Sequence, residues 1–178
     1  MALTSTVFTF DIDLVDIDRS VYETLSLKVA RHPSESDEFL VARVLAYCLE
    51  YTDGITFSRG LCEPDEPPIV VRDLTGALIA WIDIGTPAPE RLHRATKLAR
   101  RVVVYIHKDY RQWLPTVRAA AIHRPEALTL RALEPAFIGA VVARLERRTS
   151  IAVTIADAEV SVAFEDDSIA GRVTTVLL

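Results

Sequence analysis

The sequence has little glycine, little cysteine and no long apolar run. Six of the 178 residues are glycine, and the two cysteines, Cys48 and Cys62, are too few for a disulfide framework, so we expect free thiols. No apolar stretch reaches the roughly 18–20 residues that a membrane helix needs. The N-terminal segment lacks the basic residues of a signal peptide. These absences predict a cytoplasmic protein with no membrane partner.

Motifs that mark several enzyme classes are also missing. The chain has no G-x-x-x-x-G-K-[ST] or G-x-G-x-x-G loop for nucleotide phosphates, and no G-x-S-x-G nucleophile elbow. Its four histidines lack the spacing of zinc ligands. These patterns argue against nucleotide-loop, zinc and α/β-hydrolase chemistry.

The charge balance limits how the chain could bind nucleic acid. Twenty basic residues against 25 acidic ones leave a formal net charge of −5, so contact with nucleic acid must come from a local basic patch. Half of the residues are apolar, which is enough for a full core. The length and the absence of a linker predict a single domain over residues 1–178.

Hydrophobic periodicity predicts a mixed α/β order rather than a regular alternation of strands and helices. The expected strands are 4–14, 21–30, 69–72, 77–84, 102–107 and about 127–132, followed by a three-stranded meander over 151–178. The expected helices are 34–50, 89–101, 109–118 and 134–147. Residues 73–76 should turn a hairpin, and 51–68 should be mostly loop.

Helical phase suggests a first site residue. With Ser34 as N-cap, a helix over 34–50 places Leu45 on its apolar side and Arg43 and Glu50 toward solvent. Glu38 then points inward, where a carboxylate needs a partner. It is either a capping or ion-paired glutamate at the core edge, or a site carboxylate.

The helix over 89–101 also points a charged side chain toward its apolar face, and here the charge is positive. Arg91 projects into its apolar face and requires a carboxylate or a phosphate. Arg94, Lys97 and Arg101 form a basic flank, which is a solvated surface or a phosphate-binding patch. Asp83 ends the buried strand just before this helix, so it is either a site acid or half of a structural salt bridge.

An acidic loop precedes the same hairpin. Glu63, Asp65 and Glu66 form a solvated turn, or they converge with Asp83 at one sheet edge. Carboxylates converging in that way would suit Mg²⁺, a hard cation that prefers oxygen ligands.

Taken together, these segments resemble the YaeQ family of small bacterial proteins. The resemblance rests on residues 30–35 with Glu38, on 57–62 leading into 65–67, on 81–85 with Pro87, and on Arg91 with 94–95. It implies a variant of the PD-(D/E)XK nuclease fold: a restriction-endonuclease-like mixed β-sheet flanked by helices. Antiparallel strands from the N- and C-terminal segments would extend that sheet.

The resemblance also implies site roles. Glu38 would be the helix acid and Asp83 the strand acid of a magnesium site, with Asp65 or Glu66 as a further ligand. The family's catalytic lysine corresponds to Arg94, and Lys97 lies one turn on. The implied phosphate-binding residues are Arg59, Arg91, Arg94 and Lys97.

Three positions depart from the superfamily pattern. Gly85 stands where the superfamily lysine is expected, and Pro68 stands where a further acid is expected. Arg94 stays protonated near neutral pH, so it can stabilise a phosphate but is a poor general base.

Two hypotheses follow from these residues. In the first, the protein is a magnesium-dependent phosphodiesterase that acts on nucleic acid. In the second, a non-catalytic protein keeps the fold, its acids and arginines form an ion-pair network, and it binds nucleic acid or a protein partner.

Overall fold

A ten-stranded mixed sheet organises the chain. The computed structural model describes residues 5–58 and 66–178. The strands are β1 Thr6–Asp16, β2 Val21–Arg31, β3 Ile55–Phe57, β4 Ile69–Arg72, β5 Leu78–Ile84, β6 Arg101–Ile106, β7 Leu128–Leu133, β8 Arg148–Ala156, β9 Glu159–Ala163 and β10 Ser168–Val176. The helices are α1 Asp37–Leu49, α2 Pro89–Leu98, α3 Trp113–Ala119 and α4 Pro135–Val142, with a short 3₁₀ turn at Pro125–Ala127.

The strand order is β2-β1-β8-β9-β10-β7-β6-β5-β4-β3. The pairs β1–β8, β5–β6 and β6–β7 are parallel, and the other neighbours are antiparallel. The last strand joins the two halves of the sheet, because Ser168–Arg172 pairs with β9 and Val173–Val176 pairs with β7. Strands from the two chain ends therefore extend a sheet built by the middle of the sequence.

Helix α1 lies inside this sheet. Every residue from Leu40 to Leu49 is buried, so the helix has no solvent face over that stretch. The hydrophobic cluster around it contains side chains from β1, β5, β8, β9 and α4. A helix buried all round must be enclosed by other elements, and the sheet accordingly curves around α1 as a nearly closed, barrel-like layer.

The strands β5 and β6 have a different helix on each face. Ala80, Ile82 and Ile84 pack in the cluster around α1, whereas Trp81 packs in a second cluster with Leu92 of α2. Because side chains alternate along a strand, Asp83 projects to the same side as Trp81. Asp83 and α1 thus lie on opposite faces of β5.

The predicted order of elements is confirmed, while several predicted helix ends are wrong. The hairpin across residues 73–76 and the C-terminal meander are both present. Three helices are shorter than expected: α2 ends at Leu98, α3 begins at Trp113 and α4 ends at Val142. Strand β6 begins at Arg101, so pairing in the sheet takes a residue that the helix over 89–101 was expected to include.

Helix α1 also begins later than predicted. The N-cap is Ser36, whose Oγ accepts a hydrogen bond from the Phe39 N–H (3.2 Å). The hydroxyl of Ser34 contacts His32 Nδ1 instead (2.7 Å). A turn forms first because the Glu35 N–H donates to the His32 carbonyl (2.9 Å). Within the described ranges, no helix is both long enough and apolar enough to cross a membrane.

A strand-end cleft as the candidate functional site

A cleft of about 520 Å³ opens at the carboxyl ends of the parallel strands β5 and β6. We call it the strand-end cleft. The residues after β5, Gly85 to Pro87, form its floor together with His107 and Lys108 after β6. The first turn of α1 and Arg91 of α2 form its walls. Ligand sites in sheets with parallel strands commonly lie at this position.

The carboxylate of Asp83 is bound on both oxygens. Arg91 Nε lies 2.9 Å from Oδ2 and Arg91 Nη2 lies 2.9 Å from Oδ1, a bidentate pair. The indole Nε1 of Trp81 also donates to Oδ2 at 2.8 Å. The Asp83 side chain is 4% exposed. Three donated hydrogen bonds thus stabilise a buried negative charge.

Arg91 ties the cleft to the segment before β4. Its Nη2 also donates to the backbone carbonyl of Glu66 at 2.8 Å, and its guanidinium lies 5.2 Å from the centre of the Trp81 ring. The prediction that an inward arginine on this helix requires a carboxylate or a phosphate is confirmed, and its partner is the carboxylate of Asp83. Of the two alternatives for Asp83, this geometry favours the salt bridge.

A second buried ion pair lies on the α1 side of the cleft. Arg43 Nη1 and Nη2 lie 3.3 and 3.4 Å from the two carboxylate oxygens of Glu35. Arg43 Nη2 also donates to the Ala30 carbonyl at 2.7 Å, and Glu35 Oε2 accepts from the His32 N–H at 2.9 Å. Burial lowers the pKa of Arg43, and the nearby Glu35 charge raises it. The predicted solvent-facing position of Arg43 is wrong.

Glu38 does not point into the core as predicted. It is exposed in the first turn of α1. Hydrogen bonds from its own backbone N–H and from the Ser36 side chain lower the pKa of Glu38, and the charge of His107 adds to that effect. Glu38 therefore caps the helix start beside the cleft, while Glu35 is the inward carboxylate. An acid in the first turn also interacts favourably with the helix dipole.

His107 is the residue of the cleft that sequence reasoning missed. Its imidazole is buried, and its Nδ1 has no hydrogen-bond partner among the described residues. Burial lowers the pKa of His107, the Lys108 charge lowers it further and the Glu38 charge raises it. The ring packs edge-on against Phe39. His107 therefore lines the cleft, and one of its buried imidazole nitrogens has no hydrogen-bond partner among the described residues.

The predicted phosphate-binding residues are spread along α2. Arg91 lines the cleft, whereas Arg94 and Lys97 are exposed and lie outside its lining. Glu66 lines the cleft, as does Pro68. The predicted residues Arg59 and Asp65 lie outside the described residues, as does Cys62.

The described acids do not fit a magnesium ion in this arrangement. The Asp83 carboxylate is taken by a guanidinium, whose positive charge would repel a second cation at that position. Glu38 belongs to α1, on the other face of β5. Over residues 5–58 and 66–178, no group of three His, Cys, Asp or Glu side chains is placed to hold a metal.

Local signals could have found part of what was missed. His107 directly follows a buried strand, as Asp83 ends one, and parallel neighbours end at the same sheet edge. For Glu35 and Arg43 the sequence carries no signal, because helical phase over the expected helix 34–50 turns Arg43 toward solvent. Their pairing depends on the turn at His32–Ser36 and on the burial of α1.

Comparison with known proteins gives a consistent assignment. A family model described as "YaeQ protein" matches residues 1–172. Proteins named "Uncharacterized protein YaeQ" from Escherichia coli K12 and Salmonella typhi are 36% identical over 110 residues and 32% identical over 109 residues. Each alignment covers 61% of this chain and 60% of the relative, so the chain matches about 60% of the length of these curated relatives.

Two crystal structures match over nearly the full chain. The YaeQ protein from Pseudomonas syringae has a TM-score of 0.92 at 28% identity, covering 98% of this chain and 97% of that one. The YaeQ protein from Xanthomonas axonopodis pv. citri has a TM-score of 0.88 at 34% identity, covering 97% of this chain and 98% of that one. The ten-stranded arrangement is thus similar to folds solved by experiment.

Proposed function

The chain belongs to the YaeQ family, and we propose that it is a non-catalytic nucleic-acid-binding protein built on a variant of the PD-(D/E)XK nuclease fold. In this proposal the strand-end cleft descends from a nuclease site. The cleft now engages the phosphate backbone through cations and hydroxyl groups, without metal-dependent hydrolysis.

The bidentate Arg91–Asp83 pair is the observation that carries the proposal. A nuclease of this class needs its strand acid as a metal ligand, and Asp83 instead accepts three hydrogen bonds from Arg91 and Trp81. Freeing Asp83 for a cation would leave the Arg91 guanidinium in a half-buried position without its carboxylate partner. Such a rearrangement costs about 2–3 kcal/mol, below the ~3–5 of a fully buried pair, because Arg91 is 23% exposed.

Basic residues beside the cleft support nucleic acid as the ligand. Arg91, Arg94 and Lys97 follow one another at three-residue spacing along α2, a rise of about 4.5 Å per step. Exposure increases along this row, from the half-buried Arg91 to the exposed Lys97. Lys108 and the Ser36 hydroxyl add polar groups at the cleft. A chain with a net charge of −5 can attract a phosphate backbone only through such a local patch.

Fluorescence anisotropy with labelled 20-nucleotide single-stranded and duplex DNA and RNA tests this proposal. We expect saturable binding at 50 mM salt that weakens steeply at 200 mM. The variant Lys97→Gln/Lys108→Gln should lower the salt slope by about two, roughly one for each phosphate contact. Arg148→Gln is the matched control, because Arg148 is 74% exposed and pairs with Asp11 of β1, far along the sheet. Absence of saturable binding, or equal binding by both variants, would overturn the proposal.

A metal titration separates this proposal from a magnesium-dependent phosphodiesterase. Calorimetry with Mg²⁺ and Mn²⁺ up to 10 mM should give no saturable heat for either the wild type or Asp83→Asn. Saturable binding that Asp83→Asn abolishes would instead support a metal site and cleavage of nucleic acid.

A further inference from the structure

A second cleft lies at the opposite end of α1. Its volume is about 460 Å³, and its lining includes Glu50, Arg101 and Arg131. We call it the helix-end cleft. Helix α1 has 13 residues and so spans about 20 Å, which separates this cleft from the strand-end cleft. The two clefts are therefore distinct sites.

A buried carboxylate organises the helix-end cleft. Glu50 is the C-cap residue of α1, and its side chain is 4% exposed. Its Oε1 accepts a hydrogen bond from the Tyr105 hydroxyl (2.7 Å), and its Oε2 accepts one from Arg101 Nη2 (2.6 Å). A negative charge at a helix C-terminus is unfavourable by itself, so Glu50 requires these partners. The predicted solvent-facing position of Glu50 is therefore wrong, because its side chain is buried against Tyr105 and Arg101.

The same carboxylate draws a second guanidinium to this point. Arg131 Nη1 lies 3.4 Å from Glu50 Oε1 and 3.0 Å from the Tyr105 hydroxyl oxygen. Tyr105 and Arg131 are register partners on β6 and β7, which fixes the spacing of the network. One buried anion thus contacts two cations, Arg101 at one carboxylate oxygen and Arg131 at the other. These three charges sum to +1, and the Asp18 carboxylate in the same lining offsets that excess.

Both guanidiniums keep unused donors at the cleft. A guanidinium carries five N–H groups, and within the described part of the chain Arg101 hydrogen-bonds only through Nη2 and Arg131 only through Nη1. Their side chains are 44% and 33% exposed. The remaining nitrogens of Arg131 are not among the buried polar atoms that lack partners. The free N–H groups are therefore accessible to a ligand.

Arg101 and Arg131 are the candidate anion-binding groups of the helix-end cleft, because the third arginine of its lining is already paired. Arg19 is held by Asp16 Oδ2 (2.6 Å) and by the carbonyls of Cys48 and Tyr51 at the end of α1, so its charge is already matched. The Asp18 carboxylate accepts a hydrogen bond from the Asp157 N–H (3.1 Å). Leu49, Ile155 and Val173 add an apolar wall.

We propose that the helix-end cleft binds a small oxyanion, a phosphate or carboxylate group, between the guanidiniums of Arg101 and Arg131. Paired guanidiniums present forked donors that match such groups. An anion placed there also relieves the repulsion between the two arginines. The buried Glu50 and Tyr105 hold the arginines in place before binding, which lowers the entropic cost of ordering them.

NMR titration with inorganic phosphate, and separately with acetate, tests the proposal. The side-chain Nε–H signals of Arg101 and Arg131 report on the site directly. We expect saturable shifts in these two signals, and about tenfold weaker binding in Arg131→Gln, the loss typical of a hydrogen bond between charged groups. Shifts with phosphate alone identify a phosphate site, and shifts with both probes identify a general oxyanion site.

Two further variants separate a loss of phosphate binding from a loss of folding and from effects at the strand-end cleft. Arg131→Lys retains a cation beside Glu50 and so should keep the fold, yet it loses the forked donor and should bind phosphate several-fold more weakly. Lys97→Gln/Lys108→Gln, which tests the strand-end cleft, should leave the phosphate affinity measured at Arg101 and Arg131 unchanged. Equal phosphate affinity in wild type, Arg131→Lys and Arg131→Gln would overturn the proposal. Unshifted arginine signals at 10 mM phosphate would do so as well.

Discussion

Arg91 of α2 binds both carboxylate oxygens of Asp83, the residue near the end of β5, at 2.9 Å each. This pair links a strand to the helix that follows it, and in the proposed function it stands in place of a metal-binding acid. Its energetics are therefore the most direct test of how the strand-end cleft is used.

Removing the Asp83 charge should destabilise the protein. We expect Asp83→Asn to lower the free energy of unfolding by about 2–3 kcal/mol, below the ~3–5 for a fully buried pair, because Arg91 is 23% exposed and regains some hydration. Urea denaturation measures the change. Asp109→Asn is the control: Asp109 pairs with Arg111 in a fully exposed ion pair, where a much smaller effect is expected. Equal effects of the two substitutions would contradict this account.

The Glu35–Arg43 pair should show strong energetic coupling. Both side chains are nearly fully buried, so Arg43→Met leaves an unpaired carboxylate and should cost about 3–5 kcal/mol. Glu35→Gln should also destabilise, because it leaves a buried guanidinium without its anion. The double variant should cost at least about 1 kcal/mol less than the sum of the single variants. Additive losses in denaturation would mean that the two charges do not interact.

Alkaline pH should weaken the fold. Burial raises the pKa of Cys48 to about 12, and burial together with the Glu50 charge raises the pKa of Tyr105 well above its usual value. Both groups thus keep their protons in the folded state at pH values where the unfolded chain releases them. The stability that they contribute is complete below about pH 8, begins to fall as the pH passes the unfolded pKa values of about 9 and 10, and is lost as the pH rises through the higher folded pKa values.

The expected loss can be measured by urea denaturation. Between pH 8 and pH 10.5 the free energy of unfolding should fall by about 2–3 kcal/mol. Burial raises the pKa of Tyr47 and Tyr51 as well. The fall should be smaller in Tyr105→Phe, which removes one of these groups. A pH-independent free energy over this range would show that none of these groups titrates differently in the two states.

Two glycines close together in the fold should respond to alanine in opposite directions. A Cβ on Gly171 of β10 would lie 2.2 Å from Cγ of Phe137, which is buried in α4. Gly171→Ala therefore forces the helix and strand apart and should cost about 1–3 kcal/mol. A Cβ on Gly139, within α4, would meet no heavy atom within 4 Å, so Gly139→Ala should stabilise by about 0.5–1 kcal/mol. Thermal melts of the pair distinguish the two signs, and destabilisation by both would contradict this packing of α4 on β10.

The local sequence pattern was sufficient to predict most strands and helices. It also predicted the side of the strand-end cleft that holds Arg91 and Asp83. Alternating apolar residues and the turn at residues 73–76 predict the β4–β5 hairpin, which the structure contains. The apolar face of α2 predicts that Arg91 needs an anion, and the preceding strand carries one near its end. The two residues lie eight positions apart, joined by a short connection, so sequence proximity carries the information.

Helical phase predicts the wrong exposure for residues of α1, because this helix does not have the single solvent-facing side that the method assumes. Phase analysis assumes one solvent face, whereas α1 is buried all round from Leu40 onward. It therefore places Arg43 and Glu50 outside and the exposed Glu38 inside. The exposure of residues on α1 depends on the strands that surround it, and these come from both ends of the chain.

The sequence by itself determined the strand and helix order and the family, and it placed an inward arginine close to an acid next to the hairpin, because these follow from local propensity and from residues close along the chain. Only the tertiary structure decided that Arg91 pairs with Asp83, and which distant charges share a site. Glu50 and Tyr105 are 55 residues apart, and they meet because the sheet curves around α1. The helix-end cleft and the buried His107 in the strand-end cleft likewise arise from burial, which depends on the packing of distant segments.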